Sequence, residues 1–171
     1  MKRFWWIGLF VFVVIVIVIG AILTRMQVYA APEQPIEYSH RIHVEKDIQC
    51  LYCHPGAVQS AVAGIPSVQK CMGCHNVIKA DSPEIQQVAS YYDEGKPIPW
   101  IKVNRQPDFI YFSHLPHLGA SLNCETCHGE VGQMDVTKQF VKMDMGWCLD
   151  CHLNQPAEKV GRLADCLTCH K

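Results

Sequence analysis

What the 171-residue sequence lacks narrows it before anything present is read. There is no charge excess of either sign: 15 Lys and Arg stand against 16 Asp and Glu, a formal net charge of −1. No basic field is therefore offered to nucleic acid. There is no cysteine outside a Cys-x-x-Cys pair, so no thiol is left over. The longest gap between pairs, residues 75–124, includes "GKPIPWIKVNRQPDF", too rich in proline for a strand in a central sheet. It reads instead as a connector that wraps the rest and offers a docking surface. One segment, residues 4–23, lacks charge altogether.

What is present is cysteine, ten in all, far above ordinary usage. Every pair is followed by histidine: Cys50/Cys53/His54, Cys71/Cys74/His75, Cys124/Cys127/His128, Cys148/Cys151/His152 and Cys166/Cys169/His170. With 9 His in the chain, that coincidence by chance is on the order of one in a few million. Cys-x-x-Cys-His is the attachment signature of c-type haem, with the motif histidine as the proximal iron ligand. Five haem c groups are predicted, and their propionates would leave the loaded protein more acidic than its residues imply. Zinc ribbons use similar spacings, with 17 residues between Cys53 and Cys71 and 20 between Cys127 and Cys148. Four-thiolate sites would ignore every one of the histidines and leave the fifth pair without a partner. A disulfide framework would explain an even count in an exported protein, but not five identical triplets.

The chain also repeats itself. Residues 38–54, "YSHRIHVEKDIQCLYCH", match residues 112–128, "FSHLPHLGASLNCETCH", at an offset of 74. Both read aromatic-Ser-His-x-x-His, six residues, then the attachment motif. A second motif follows each, Cys71 lying 21 residues after Cys50 and Cys148 24 after Cys124. The units span about 38–75 and 112–152, with a fifth site at 166–170. The four histidines outside the motifs, His40, His43, His114 and His117, fall at matching positions in the two copies. A six-coordinate haem takes a distal ligand, and imidazole is a usual one, so these four are the predicted distal ligands. One iron is left without an imidazole. Its sixth ligand is a methionine, which raises the potential relative to bis-histidine haem, or the position is open or water-bound. Met72 lies between its own motif's cysteines with little freedom to reach another iron, which leaves Met134, Met143 and Met145.

Residues 4–23, "FWWIGLFVFVVIVIVIGAIL", would form a helix roughly 30 Å long, the thickness of a hydrocarbon core. Lys2 and Arg3 stand before it and Arg25 after it, a bias toward a cytoplasmic N-terminus, and Trp5 and Trp6 lie where an interfacial aromatic belt is expected. The competing reading is a cleaved signal peptide, with "VYA" at 28–30 as the cleavage site, but the apolar part of such a peptide usually runs only about 7–15 residues. Either way, residues from about 30 onward reach the compartment where c-type haem is attached. The expected organisation is an inner-membrane anchor over 1–30 and a periplasmic haem domain over 31–171.

About 140 exported residues for five haems is roughly 28 per macrocycle, too few for a large protein core. The expected fold is mainly α and irregular with little sheet, the haem faces making up much of the interior. Each attachment motif tends to a helical turn that sets its cysteines on one side. One longer helix is readable: Ser82 as cap, Pro83 at the first position, Ile85, Val88, Ala89 and Tyr92 as an apolar stripe, Gly95 at the end.

Beyond the motifs, "FSHLPHLGASLNCETCHGEVGQMD", "MGWCLDCH", "GKPIPWIKVNRQPDFIYF" and "IPSVQKCMGCH" resemble the pentahaem cytochrome c subunit of alternative complex III, a quinol:electron-acceptor oxidoreductase. The similarity spans about residues 36–153, and the aromatic-x-His-x-x-His element is shared more widely with cytochromes c3 and c7. The resemblance implies that the first histidine of each copy serves the next haem in sequence. His40 would then bind the Cys50/Cys53 haem and His114 the Cys124/Cys127 haem, while His43 and His117 reach elsewhere. It draws the methionine ligand to Met145, with Met134 second. It also implies an electron carrier without bond-making chemistry of its own. Such a subunit works beside integral membrane and iron-sulfur subunits that oxidise quinol, and passes electrons to a monohaem cytochrome c or another periplasmic acceptor. The sequence ends at Lys171, directly after the fifth motif, so a longer C-terminal docking tail is expected to be absent. Two further readings stay open. One is a stand-alone membrane-anchored multihaem quinol dehydrogenase, for which residues 24–39 offer no convincing quinol site. The other is a multihaem reductase with an open haem, although related nitrite reductases typically attach that haem through Cys-x-x-Cys-Lys.

Overall fold

The computed structural model describes residues 2–28 and 30–170. Two units separate, Met1–Ala31 and Pro32–Lys171. The first is helix α1, Lys2–Val28. Its stretch Trp5–Thr24 has a mean hydropathy of 3.2 and buries none of its length. Apolar side chains point outward all round it from Trp5 to Leu23, the pattern of a helix that faces lipid on every side rather than a core on one. The Thr24 hydroxyl donates back to the carbonyls of Gly20 and Ala21, both at 2.9 Å, so its polar group is satisfied within the segment.

In the second unit no strand occurs among the described residues, and short helices alternate with irregular connections, the sheet-poor architecture expected. The helices are α2 (His40–Val44), α3 (Cys50–Cys53), α4 (Gly56–Gln59), α5 (Val68–His75), α6 (Pro83–Asp93), α7 (His114–Gly119), α8 (Glu125–His128), α9 (Met145–Leu153), α10 (Ala157–Leu163) and α11 (Cys166–Cys169), with a 3-10 turn at Val131–Gln133 after α8. Every attachment motif lies on a helical turn. The amides of His54, His128 and His170 each donate to the carbonyl of their own motif's first cysteine, at 2.9, 3.0 and 2.9 Å, which is the i to i−4 bond of one α turn. Asp144 and Asp165 cap α9 and α11, accepting from the amides of Trp147 at 3.0 Å and Leu167 at 2.8 Å.

Helix α6 obeys the local signals. Ser82 Oγ accepts from the Ile85 amide at 3.4 Å, Pro83 takes the first position, and Gly95 ends the helix at φ +64. Gly95 and Lys96 then donate to the carbonyls of Tyr92 (3.0 Å) and Tyr91 (2.9 Å), the paired bonds of a Schellman ending. Of the expected stripe Ile85 and Val88 belong to the core, where Tyr91 joins them; Tyr92 is exposed and Ala89 half-buried outside the cluster. Helix α5 packs against α6 on the side that Tyr91 faces.

Among the described residues only Ile36, Ala57, Val68, Val88 and Ile98 are buried hydrophobics. Four of these form one cluster, with Cys71, Met72, Ile85, Tyr91 and Trp100 against it. Such side chains contribute about 1.5–3 kcal/mol each, while ordering the backbone costs about 1–2 kcal/mol per residue. Five cannot hold a unit of this length, so the chain must wrap something that completes its interior. The start of the unit is fastened to this cluster. The Gln34 amide donates to Ile101 O at 2.8 Å and accepts from Ile101 N at 2.9 Å, and Gln87 donates to Pro35 O at 3.0 Å. Residues 97–100 of the connector and residues 65–68 line an open apolar groove.

Candidate haem-binding sites

The structure brings each of the four non-motif histidines opposite a motif histidine. His40 faces His54 with ring centres 6.4 Å apart and planes at 16°; His114 faces His128 at 6.3 Å and 15°. His117 faces His152 at 6.1 Å and 25°, and His43 faces His75 at 6.1 Å with the rings crossed at 68°. Rings in van der Waals contact would lie closer. A metal bound to two imidazole nitrogens at about 2 Å each, with each nitrogen about 1.1 Å from its ring centre, separates the centres by roughly 6 Å. The four gaps therefore fit one iron each, whatever the rotation of the rings about their common axis.

The chemistry of the nitrogens agrees. Nδ1 of His43, His54, His75, His114, His117 and His152 lies 2.7–3.2 Å from the backbone carbonyls of Ser39, Gly64, Ile78, Ala61, Ser113 and Leu163 respectively. A carbonyl only accepts, so Nδ1 must carry the proton and Nε2 is left with its lone pair free for a metal. This is the outer-shell bond that orients ligand imidazoles. Burial, then the neighbouring His54 and His43, pushes the His40 pKa down to about 4, and burial with His114 and His54 lowers that of His128. Both rings are thus held neutral, as a ligand must be.

The aromatic residue that opens each repeat has a role its letter alone did not disclose. Tyr38 meets His40 edge-on, centres 4.9 Å apart at 88°, and stacks on His43 at 4.6 Å and 25°. Phe112 does the same for His114 (4.8 Å, 86°) and His117 (4.8 Å, 33°). Each is a wedge that fixes two histidines of one short helix in different directions. The only signal for it in the sequence was its recurrence at the offset of 74. Burial, followed by Cys53 and Cys71, raises the Tyr38 hydroxyl to about 12 and keeps it neutral.

His170 is different. The ring facing it is Phe109, 5.8 Å away at 18°, and no non-motif histidine remains for it. Of the methionines, Met72 packs on the apolar cluster. Met134 follows the 3-10 turn and accepts the Arg41 amide at 3.2 Å through its carbonyl. Met143 stands just before the α9 cap, and Met145 is the exposed first residue of α9, the helix that packs on α10 ahead of the fifth motif.

No two of the ten cysteines are joined in a disulfide, and all lie exposed or half-buried; burial pushes up the thiols of Cys53, Cys71, Cys124, Cys127 and Cys148. Among the described residues no three His, Cys, Asp or Glu side chains converge as a bare metal site needs. The paired thiols beside a bis-imidazole gap suit thioether attachment of a porphyrin instead.

Neighbour relations give the sites an order. Helix α2 carries His40 and His43, joining the first and second motifs, and Lys70 Nζ donates to Tyr52 O at 2.9 Å between them. Helix α7 carries His114 and His117, joining the third and fourth. The first and third are joined because α4 packs on α7 and His114 reaches Ala61. The fourth and fifth are joined by His152 to Leu163 O at 2.9 Å, and Tyr111 N donates to Cys169 O at 2.9 Å. These contacts link the motifs in the order second, first, third, fourth, fifth.

Comparison with known proteins points the same way. The family model described as cytochrome c7 and related cytochrome c matches residues 110–171, the second repeat and the fifth motif. The chain is 32% identical over 188 aligned positions to a protein of Nitratidesulfovibrio vulgaris named menaquinone reductase, multihaem cytochrome c subunit, with 95% of this chain and 88% of that relative covered.

Proposed function

Since the chain belongs to the multihaem cytochrome c family represented by that subunit, we propose that it is the electron-relay subunit of a membrane complex that exchanges electrons with quinone, and that it holds five c-type haems in one file. The observation that carries this is the set of four imidazole pairs at iron spacing, two built on α2 and two on α7. Haem c, when bound, supplies a one-electron iron couple. The chain's residues do the rest: Cys50, Cys53, Cys71, Cys74, Cys124, Cys127, Cys148, Cys151, Cys166 and Cys169 attach, and His54, His75, His128, His152 and His170 bind from the proximal side. On the distal side His40, His43, His114 and His117 serve the first, second, third and fourth sites. Met145 is the ligand proposed for the His170 site, because its helix α9 leads to that site while Met134 is held against α2.

Residues 1–30 anchor the protein in the inner membrane with the N-terminus cytoplasmic, and residues 31–171 stand in the periplasm. The partners are integral membrane and iron-sulfur subunits and a soluble cytochrome c or similar carrier. The relative's name favours electrons running toward menaquinone. The motif resemblance to alternative complex III favours the opposite direction, quinol oxidation. Purification of the tagged protein in mild detergent, identification of its companions by mass spectrometry and assay of both directions decide between them. A protein that ran alone and exchanged electrons with quinol unaided would overturn the relay reading in favour of a stand-alone dehydrogenase.

A further inference from the structure

The two repeats hold each other's first histidine. His114 donates from Nδ1 to the carbonyl of Ala61, in the loop after the first attachment motif, at 3.2 Å. Nδ1 of His40 meets the hydroxyl of Thr137, in the segment after the third motif, at 2.8 Å. The exchange is reciprocal, but the acceptors differ in kind. A carbonyl can only accept, whereas a hydroxyl can donate or accept, so the His40 tautomer is settled only when Nε2 is occupied and Nδ1 must donate.

Thr137 is not a chance neighbour. Asp135, two residues before it, accepts from Ser39 Oγ at 2.7 Å, Arg41 Nε at 3.2 Å and Arg41 Nη2 at 2.9 Å, and the Arg41 amide donates to Met134 O at 3.2 Å. The whole of 134–137 is thereby bolted to α2 around His40. The second repeat has no such bolt, because Leu115 stands where the first has Arg41. Each of the other three distal histidines donates to a main-chain carbonyl, which no substitution removes; at His40 the acceptor is a side chain.

We infer that Thr137 is a positioning residue for the Cys50/Cys53 haem, its hydroxyl accepting the Nδ1 proton of His40 and so setting the orientation of that ligand and the reduction potential of that haem. The inference rests on the reading of His40 as the distal ligand. An imidazole whose Nδ1–H has an acceptor is a stronger base toward the metal and favours the ferric state, and hydrogen bonding around the ligands is one of the protein's levers on potential. Removal of the acceptor leaves a part-buried Nδ1–H unpaired and raises the potential.

The test is a potentiometric titration of the full haem-loaded protein in detergent, followed by visible and EPR spectra. Thr137→Val keeps the branched shape without the hydroxyl, Thr137→Ser keeps the hydroxyl, and His40→Ala serves as the ligand control. Thr137→Val is expected to move one of the titrating components upward by about tenfold in its reduction equilibrium, ~59 mV for one electron. Thr137→Ser is expected to stay with the parent, and His40→Ala to turn one haem high-spin. If His40→Ala leaves every haem low-spin, the ligand reading fails and takes the inference with it. If His40→Ala acts as expected while Thr137→Val titrates with the parent, the ligand reading stands and the role of Thr137 is overturned. Several components moving together, or Thr137→Ser behaving like the valine variant, would mean that Thr137 only packs, and would overturn it equally.

Discussion

His170 faces a phenyl ring where the other four motif histidines are paired with imidazole, so no imidazole is offered to the fifth site. With Met145 as that ligand, Met145→Ala is expected to remove a near-infrared thioether–iron band and to add one high-spin haem, while Met134→Ala leaves the spectrum unchanged. Five bis-imidazole signals in the EPR spectrum of the parent would contradict Met145 as a ligand, since only four histidines lie outside the motifs. At this scale the sequence was most informative where residue type carries the chemistry. Cys50 to His170 could be read off as triplets, and His40, His43, His114 and His117 stood out because they recur in register. Which iron His43 and His117 reach was not readable, as it depends on how α2 and α7 stack. Ala61, Gly64 and Leu163 gave no sign at all, because they act through main-chain carbonyls that every residue possesses.

Helix α2 has five residues and α7 six, far below the length at which an isolated helix persists in water. They exist because of their caps, their aromatic wedges and the histidines they direct to two sites at once. Residues at i and i+3 share a face, so one residue inserted between His40 and His43 would swing one ring about 100° off its site and is expected to turn a haem high-spin in the visible spectrum. Glycine positions separate local strain from simple helix propensity. Gly129 has φ +66, and a Cβ there would lie 2.6 Å from Phe140 Cγ, so Gly129→Ala should cost about 1–3 kcal/mol. Gly161, inside α10 with open space around it, should tolerate alanine with a gain of about 0.5–1 kcal/mol. Paired thermal melts of the two variants check the contrast. Helix α6 was legible because Ser82, Pro83 and Gly95 are local signals, whereas the choice of Tyr91 over Tyr92 was not, since it follows from where α5 crosses.

For the molecule as a whole, the scarcity of buried side chains is decisive. With five of them among the described residues of the second unit, the chain expressed where haem is not attached is expected to show little helix by circular dichroism and rapid proteolysis; a folded apo-protein would contradict the wrapped-cofactor interior. Sequence length against motif count anticipated this, because an interior shared among five macrocycles leaves little for the polypeptide. The order in which the motifs meet was hidden, since the first motif lies between the second and the third through the packing of α4 on α7 and the bond from His114 to Ala61. The mutual hold of the repeats also sets a timetable for assembly. Read from the N-terminus, Cys50, Cys53 and His54 come together, but Thr137 follows His54 by 83 positions. The site whose motif comes first in the chain is therefore completed only after the second and third, and a chain stalled midway would carry a first motif with its distal ligand unsupported.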